Sequence, residues 1–235
     1  MRSLDVVVPV YNESEVIEEV VLGIYRDIIR KYPGSTLIVA EDGSTDGTKE
    51  KLRSLSKKIK MRLVMSDERK GYMKALKDAI MLSKSDIVFF CDSDNTHDPK
   101  DFWHLEKYID RYDIVSGVKR NRHDPFYRVV LSVAYNSLLS MVFLINARDT
   151  NSGFKLIRKG VVKEIAPQIK YLKFGFSSEL ILRACKSGRK VGYVAITHRA
   201  RKSGHATQFP IKKMPSVVMK QIMGIARIWL EVVWR

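Results

Sequence analysis

The chain has 235 residues, enough for one sizeable α/β domain and too few for two full domains. Its 42 Lys and Arg residues outnumber 26 Asp and Glu residues, and the net charge of +16 favours anionic partners such as phosphates, nucleic acid or an acidic membrane. The two cysteines, Cys91 and Cys185, have the spacing of neither a disulfide framework nor a zinc site. The first residues enter a strand-like run without a secretory leader pattern, which predicts a cytoplasmic protein.

Short apolar runs alternate with amphipathic segments along the chain. Near-continuous apolar strands that alternate with helices predict an α/β fold, with a mostly parallel sheet covered by helices on both faces. Asn12 and Glu15 predict a capping box for the first helix, and Ser44 or Thr45 predicts an N-cap for the second. The predicted strands are residues 4–10, 36–40, 61–65, 87–91 and 114–118.

Polar side chains follow three of these predicted strands. Ligands of open α/β sheets bind outside the carboxyl ends of the strands, so these residues are the first candidates for a functional site. Acidic and hydroxyl groups are expected to converge on that edge. The three segments are residues 11–13, 41–47 and 92–98.

Asp92-Ser93-Asp94 directly follows the buried strand pattern at 87–91. Alternate residues of an extended chain can present two carboxylates to one divalent cation, and Mg²⁺ or Mn²⁺ prefers such oxygen ligands. Such a metal would neutralise the charge of a diphosphate leaving group. Thr96 or His97 is a candidate for a further ligand. A D-x-D pattern alone is more often a solvated turn, and here its position after a buried strand favours the metal site.

Asp42 occupies the equivalent place after the second strand. Its carboxylate is a candidate acceptor of hydrogen bonds from a nucleobase or ribose, while Gly43 and Gly47 allow the backbone to turn tightly. An acidic turn that only caps the next helix explains the same residues, and the two interpretations are compatible.

Together these motifs resemble the signature of the family 2 glycosyltransferases. They are Val-Pro-Val-Tyr-Asn-Glu at 8–13, Glu-Asp-Gly-Ser-Thr-Asp-Gly-Thr at 41–48, and Asp-Ser-Asp at 92–94. The resemblance implies the Rossmann-like GT-A fold, inversion at the anomeric carbon and a GDP- or UDP-sugar donor. It also implies metal contacts from Asp92 and Asp94. The implied nucleotide-sugar contacts are Pro9, Tyr11, Glu13, Asp42, Asp92, Ser93 and Asp94.

The second half is similar to the polyprenyl-phosphate branch of that family, which includes the dolichyl-phosphate mannose synthases. The similar segments are residues 149–155, 176–180 and 201–207. The chain departs from the branch at Thr96, where Gln is usual, and at 206–207, where Ala-Thr replaces Ser-Lys. The resemblance covers residues 4 to 210, so we predict a GT-A domain at 1–210 followed by a separate helix at 211–235.

A basic stretch lies between the last core strand of the first half and an apolar segment. Lys119, Arg120, Arg122 and Arg128 therefore place phosphate-binding cations beside lipid-like surface, as a lipid phosphate acceptor requires. A solvated basic loop explains the charges equally well. We assign the acceptor phosphate to Arg122, Arg128 and Ser132.

The remaining charged candidates come from the second half. We assign the donor diphosphate to Arg201, with Arg199 and Lys202 as near alternatives. Asp149 is assigned to orient the acceptor or the sugar. If the acceptor is a sugar hydroxyl instead, Asp149 or Glu179 is the candidate general base.

Residues 129–146 include no charged residue. The polar residues Ser132, Asn136 and Ser140 recur within this segment at intervals of four. This spacing places them on one stripe of a helix. The polar stripe argues against a transmembrane helix. It favours a helix that lies in the membrane plane or lines a groove and holds an isoprenoid chain, and a buried core helix is the alternative.

The C-terminal segment 215–234 is apolar apart from a narrow stripe formed by Lys220, Gly224, Arg227 and Glu231. Its Trp residues and flanking cations predict a helix in the membrane interface, and its charges argue against a spanning one. An oligomer contact or packing against its own domain are the alternatives.

These features predict transfer of a hexose, mannose or glucose, from a GDP- or UDP-sugar to a polyprenyl or dolichyl phosphate. The predicted location is the inner face of the cell membrane, with peripheral membrane contact and possible homo-oligomers. The chain lacks the motifs that are characteristic of sugar-nucleotide pyrophosphorylases and of processive polysaccharide synthases, so both classes are disfavoured. A nucleic-acid-binding protein would explain the positive charge but not the acidic strand ends, which repel a polyanion, so no nucleic acid is expected.

Overall fold

The computed structural model describes residues 2–172, 174–201 and 214–233. The strands are β1 (Leu4–Val10), β2 (Ser35–Asp42), β3 (Arg62–Ser66), β4 (Ile87–Cys91), β5 (Ile114–Arg120), β6 (Phe154–Arg158) and β7 (Val191–Thr197). The α-helices are α1 (Ile17–Ile24), α2 (Thr48–Lys58), α3 (Tyr72–Met81), α4 (Phe102–Glu106), α5 (Phe126–Phe143), α6 (Lys159–Ile165), α7 (Phe176–Lys186) and α8 (Met214–Val233). A π-helical turn (Tyr25–Ile29) extends α1, and short 3₁₀ turns (Pro99–Asp101 and Ala166–Gln168) precede α4 and follow α6.

All seven strands form one sheet in the order β3-β2-β1-β4-β6-β5-β7. The pairs β1 with β2, β2 with β3, β1 with β4, and β5 with β7 are parallel. Among the strands of the described residues, β6 alone runs antiparallel to its two neighbours, β4 and β5. The prediction of a mostly parallel α/β sheet is confirmed, and β6 is the added antiparallel element.

Two apolar cores cover the two faces of the sheet. Every residue of β1 and β4 is buried, as expected for central strands with helices on both sides. Alternate residues supply the two cores: Phe89 packs beneath α1 and α4, while Phe90 packs beneath α3, α6 and α7. The apolar strands therefore fix the sheet, and their polar ends emerge together at its carboxyl edge.

A third apolar cluster joins α5, α7 and α8. Arg183 on α7 is buried and donates to Glu179 Oε1 at 2.9 Å and to Glu231 Oε2 of α8 at 2.9 Å. Gly224 lets α8 approach closely, since an added Cβ would lie 2.7 Å from Leu172 Cδ2. Part of the polar stripe of α8 thus faces its own domain. The predicted boundary at residue 210 lies outside the described residues, as do Lys212, Lys213 and Trp234.

The predicted helix caps were wrong in both cases. Val16 occupies the N-cap position of α1 without a side-chain cap, and Asn12 instead accepts a hydrogen bond from the Thr45 N–H at 2.9 Å. At α2 it is Asp46, rather than Ser44 or Thr45, that accepts from the Thr48 N–H, at 3.1 Å. These polar residues bind the two loops to each other because the strands bring the loops together.

Helix α5 has 18 residues and is long and apolar enough, by length and composition, to cross a membrane. It is one such helix among the described residues, and 17% of it is buried. Large apolar side chains are exposed on both α5 and α8. They include Phe126, Val133 and Met141 on α5 and Met219, Ile222 and Leu230 on α8.

Candidate active site

A cavity of about 310 Å³ opens at the carboxyl edge of β1, β2 and β4. It is lined by residues from each of the predicted polar segments, and by residues from the second half of the chain. From the first half come Pro9, Tyr11, Glu13, Asp42, Asp92, Ser93 and Asp94, and from the second half Arg128, Asn151, Phe174 and Arg201. Most of the predicted site residues therefore share one cavity, which we call the central cavity.

Asp92 lies at the centre of this arrangement. Its backbone N–H donates to the carbonyl oxygen of Gly153 at 3.0 Å, and its Oδ1 accepts from the Tyr72 hydroxyl at 2.9 Å. A methyl group on Gly153 would lie 1.9 Å from Asp92 Oδ2, so only glycine leaves room for the carboxylate. Burial, and then the nearby charge of Asp94, raises the pKa of Asp92 to about 6. A cation between the two carboxylates would relieve this repulsion.

Asp94 is oriented by the residue predicted as a third metal ligand. Asp94 Oδ1 accepts from the Thr96 hydroxyl at 2.7 Å and from the Thr96 N–H at 3.1 Å. The Thr96 hydroxyl therefore donates its proton to Asp94 and orients that carboxylate. His97 is buried, and neither ring nitrogen has a hydrogen-bond partner among the described residues. Burial lowers the pKa of His97 to about 3, so the ring is neutral.

Asp42 lines another part of the central cavity, at the end of β2. Its two carboxylate oxygens accept from the N–H groups of Lys70 and Gly71, at 2.7 and 2.9 Å. These bonds bring the loop after β3 over the cavity, and the Arg69 guanidinium lies 3.9 Å from the centre of the Tyr11 ring. A flat ring flanked by a cation and a carboxylate is a suitable surface for a nucleobase.

Glu13 and Arg201 form an ion pair at 2.6 Å across the cavity. Burial raises the pKa of Glu13 to about 7; Arg201 opposes that rise, and Asp94 adds to it. Arg199 instead pairs with Asp98 and lines a neighbouring cavity. Lys202, the other alternative for the donor diphosphate, lies outside the described residues.

The predicted acceptor residues divide between two places. Arg122 donates to Ser132 Oγ at 2.9 Å and to Asp124 Oδ2 at 3.0 Å, and both Arg122 and Ser132 line an open groove of about 540 Å³ along α5. Arg128 lines the central cavity instead. Asp149 lies by the groove, 3.9 Å from Arg122, and accepts from the Lys119 N–H at 3.2 Å.

The polar stripe of α5 binds protein rather than facing outward. Ser140 Oγ accepts from the Ala147 N–H at 3.1 Å, and Asn136 Oδ1 accepts from the Thr150 N–H at 2.9 Å. The stripe lines the groove as predicted, but its hydrogen bonds hold the segment that carries Asp149. Two apolar residues of α5, Val133 and Met141, line the same groove.

Glu179 has a structural environment that does not suit the alternative role of general base. It is fully buried and accepts from the N–H groups of Lys170, Tyr171 and Leu172 at 2.8 to 3.1 Å, and from Arg183. With two hydrogen bonds on each carboxylate oxygen and no exposed surface, its carboxylate fixes the loop at 170–172.

Site residues that the sequence does not single out include Arg69, Tyr72, Asn151, Gly153 and Phe174. Arg69 and Phe174 reach the cavity from loops with no strand-end motif, and Tyr72 begins α3. Gly153 lies within a recognised segment, but its role depends on the pairing of β4 with β6. No local pattern signals such contacts.

Replacing Gly153 by Ala is expected to displace the Asp92 carboxylate and to weaken Mn²⁺ binding about tenfold or more. Gly160→Ala is the matched control, because nothing lies within 4 Å of its added methyl group. Calorimetric titration with Mn²⁺ measures both variants. Equal affinity in the two would show that Asp92 is not held as described.

Comparison with known proteins identifies the family. Residues 5–166 match the family described as Glycosyl transferase family 2. The dolichyl-phosphate hexose transferase of Haloferax volcanii is 29% identical over 84% of this chain and 83% of that protein. The dodecaprenyl-phosphate galacturonate synthase of Rhizobium johnstonii is 26% identical over 86% of this chain, which spans only 60% of that relative.

The fold has solved counterparts as well. Glucosyl-3-phosphoglycerate synthase from Mycobacterium tuberculosis, crystallised with Mn²⁺, UDP-glucose and phosphoglyceric acid, superposes with a TM-score of 0.70 at 21% identity. The match covers 97% of this chain and 80% of that one. This superposition shows the GT-A fold, and the match over residues 5–166 shows that this chain belongs to glycosyl transferase family 2 and is a glycosyltransferase.

Proposed function

We propose that the protein transfers a hexose from a GDP- or UDP-sugar to a polyprenyl phosphate, with inversion at the anomeric carbon and with Mg²⁺ or Mn²⁺ as cofactor. The observation that carries the proposal is the adjacency of two sites. The central cavity holds the paired carboxylates, and the groove beside the exposed apolar helix α5 holds Arg122 and Ser132. Relatives named as polyprenyl-phosphate sugar transferases support this acceptor.

Asp92 and Asp94 are the residues that would hold the metal. They fit it because they are hard oxygen donors, and because burial and then the neighbouring charge of Asp94 raise the pKa of Asp92 to about 6. Within the part of the chain that the structure describes, no three His, Cys, Asp or Glu side chains form a complete metal site. Further ligands are therefore expected from the donor phosphates. When bound, such a metal neutralises the diphosphate as it leaves.

The nucleotide would lie along the central cavity. Tyr11, Asp42 and Arg69 form the end suited to the base, while Arg201 lies near the carboxylates, where a diphosphate would be placed. Arg201 is then expected to exchange its pairing with Glu13 for the diphosphate. The sugar would project toward Asn151 and Phe174.

The acceptor phosphate would approach from the groove. A phosphate monoester is already ionised near neutral pH and attacks without a strong general base, so positioning and charge neutralisation supply most of the catalysis. Arg122 and Ser132 would hold the phosphate, and Arg128 would meet it at the central cavity. Asp149 would keep Arg122 in place through their ion pair.

The exposed apolar side chains of α5 and α8 suit peripheral contact with a membrane. They lie on helices whose inner faces already pack in the third apolar cluster, so they are free to meet lipid. Because a polyprenyl phosphate resides in a membrane, this surface would bring the groove to its substrate. We place the protein at the inner face of the cell membrane.

The decisive assay supplies GDP- and UDP-sugars with Mn²⁺ or Mg²⁺, with and without a polyprenyl phosphate. We expect turnover that requires both metal and lipid phosphate, and that is lost in Asp94→Asn but retained in Asp67→Asn, a change of an exposed carboxylate. Transfer to a sugar hydroxyl without lipid phosphate would instead favour a glycan acceptor.

Arg122→Gln is expected to raise the KM for the lipid phosphate about tenfold, because a charge-assisted hydrogen bond to phosphate is lost. The KM for the nucleotide sugar should stay unchanged. Arg53→Gln, at a side chain that is 61% exposed on α2, is the control. An unchanged KM for the lipid phosphate would remove Arg122 from the acceptor site.

Met219→Glu combined with Leu230→Glu is expected to reduce sedimentation of the protein with lipid vesicles, because charge is introduced on the outward face of α8. Ser54→Glu with Ser56→Glu adds the same charge on the exposed face of α2 and should not. Equal loss in the two double variants would show that charge alone, rather than the apolar face, controls binding.

A further inference from the structure

Lys155 is a fully buried lysine that the proposed reaction does not use. Burying an ammonium group is costly unless anionic or polar partners surround it. Its Nζ donates to the carbonyl oxygen of Ser152 and lies 5.9 Å from the centre of the Phe90 ring. The position of this lysine therefore requires an explanation in terms of nearby charge.

The sheet register places Lys155 beside the metal-binding carboxylate. Lys155 pairs with Phe90 across β6 and β4, and two residues further along the strand the Asp92 N–H bonds to the Gly153 carbonyl oxygen. Because side chains two residues apart share a face of a sheet, Lys155 and Asp92 are diagonal neighbours on one face. Burial lowers the pKa of Lys155 to about 7, and the charges of Asp149 and then Asp92 oppose that fall by favouring the protonated lysine.

The same ammonium group also fixes the turn between Asp149 and Gly153. Its bond to the Ser152 carbonyl oxygen ties down the segment that carries Asp149 toward the groove and Asn151 toward the central cavity. Lys155 thus contacts the turn at Ser152, while α5 holds it at Thr150 through Asn136. One buried charge serves both halves of the site.

We propose that Lys155 is a positioning residue whose buried ammonium acts as a built-in counter-charge for Asp92 and fixes the turn at 149–153. Before a metal binds, the ammonium of Lys155 compensates the negative charge of Asp92 and so reduces its repulsion from Asp94. Once a divalent cation binds, the same positive charge repels the cation and lowers its affinity. This inference rests on the proposed metal site, and it assigns Lys155 no contact with substrate.

The test is the affinity for Mn²⁺, measured by calorimetric titration of the donor-free protein at pH 6.5. Removing a like charge near the cation should tighten binding, so Lys155→Met is expected to bind Mn²⁺ about threefold more tightly or better. Its kcat should fall while the KM for the nucleotide sugar changes less, because the turn that carries Asp149 loses its support. A merely structural lysine cannot give tighter metal binding when it is lost.

Lys155→Gln is the second variant, because it removes the charge while keeping a hydrogen-bond donor for Ser152, and it decides the question if Lys155→Met does not fold. Lys77→Met, which removes a surface lysine bonded to backbone carbonyls, is the control and should leave Mn²⁺ affinity unchanged. Unchanged or weaker Mn²⁺ binding in the neutral Lys155 variants would overturn the inference. Absence of Mn²⁺ binding in the unaltered protein would instead overturn the metal site on which it rests.

Discussion

The placement of two neighbouring carboxylates, Asp92 and Asp94, at the end of the buried strand β4 is the constraint on which the rest of the site depends. Two carboxylates at the end of a buried strand are unfavourable unless neighbouring groups hold them and positive charge compensates them. Tyr72 and Thr96 each donate a hydrogen bond to one of the pair, and Gly153 leaves the space that the first requires. The carboxylates are therefore held in place before a ligand binds, which is the preorganisation that transfer of charged groups demands.

The antiparallel strand β6 connects this pair to the second half of the chain. Its pairing with β4 brings the turn at 149–153 against Asp92. The polar stripe of α5 binds this turn through Asn136 and binds the preceding Ala147 through Ser140. Helix α5, whose composition suits contact with lipid, thus also positions the turn at 149–153 between the central cavity and the groove. Its polar stripe bonds to this segment, while Leu139 and Phe143 on the same helix pack in the third apolar cluster.

The features that depend on neighbouring residues in the chain could be predicted from the sequence. The predicted strand at 87–91 has the observed bounds, because a strand buried on both faces is a continuous apolar run, and the polar strand ends do converge. Contacts that depend on pairing between distant segments could not be read in this way. Asn12 has the chemistry of a helix cap, but the neighbouring loop supplies Thr45 as its partner. Likewise, Glu179 resembles a catalytic carboxylate until three backbone N–H groups and Arg183 surround it.

The network around Glu179 also shows that the exposed apolar surface and the central cavity share their supports. Glu179 fixes the backbone at 170–172, and Arg183 links it to Glu231 on α8. The same stretch of chain leads directly to Phe174, which lines the central cavity. This chain of hydrogen bonds couples the position of α8 to the loop at 170–172. The surface suited to lipid and the residues suited to the sugar are therefore joined by one network of contacts, rather than built on two independent units.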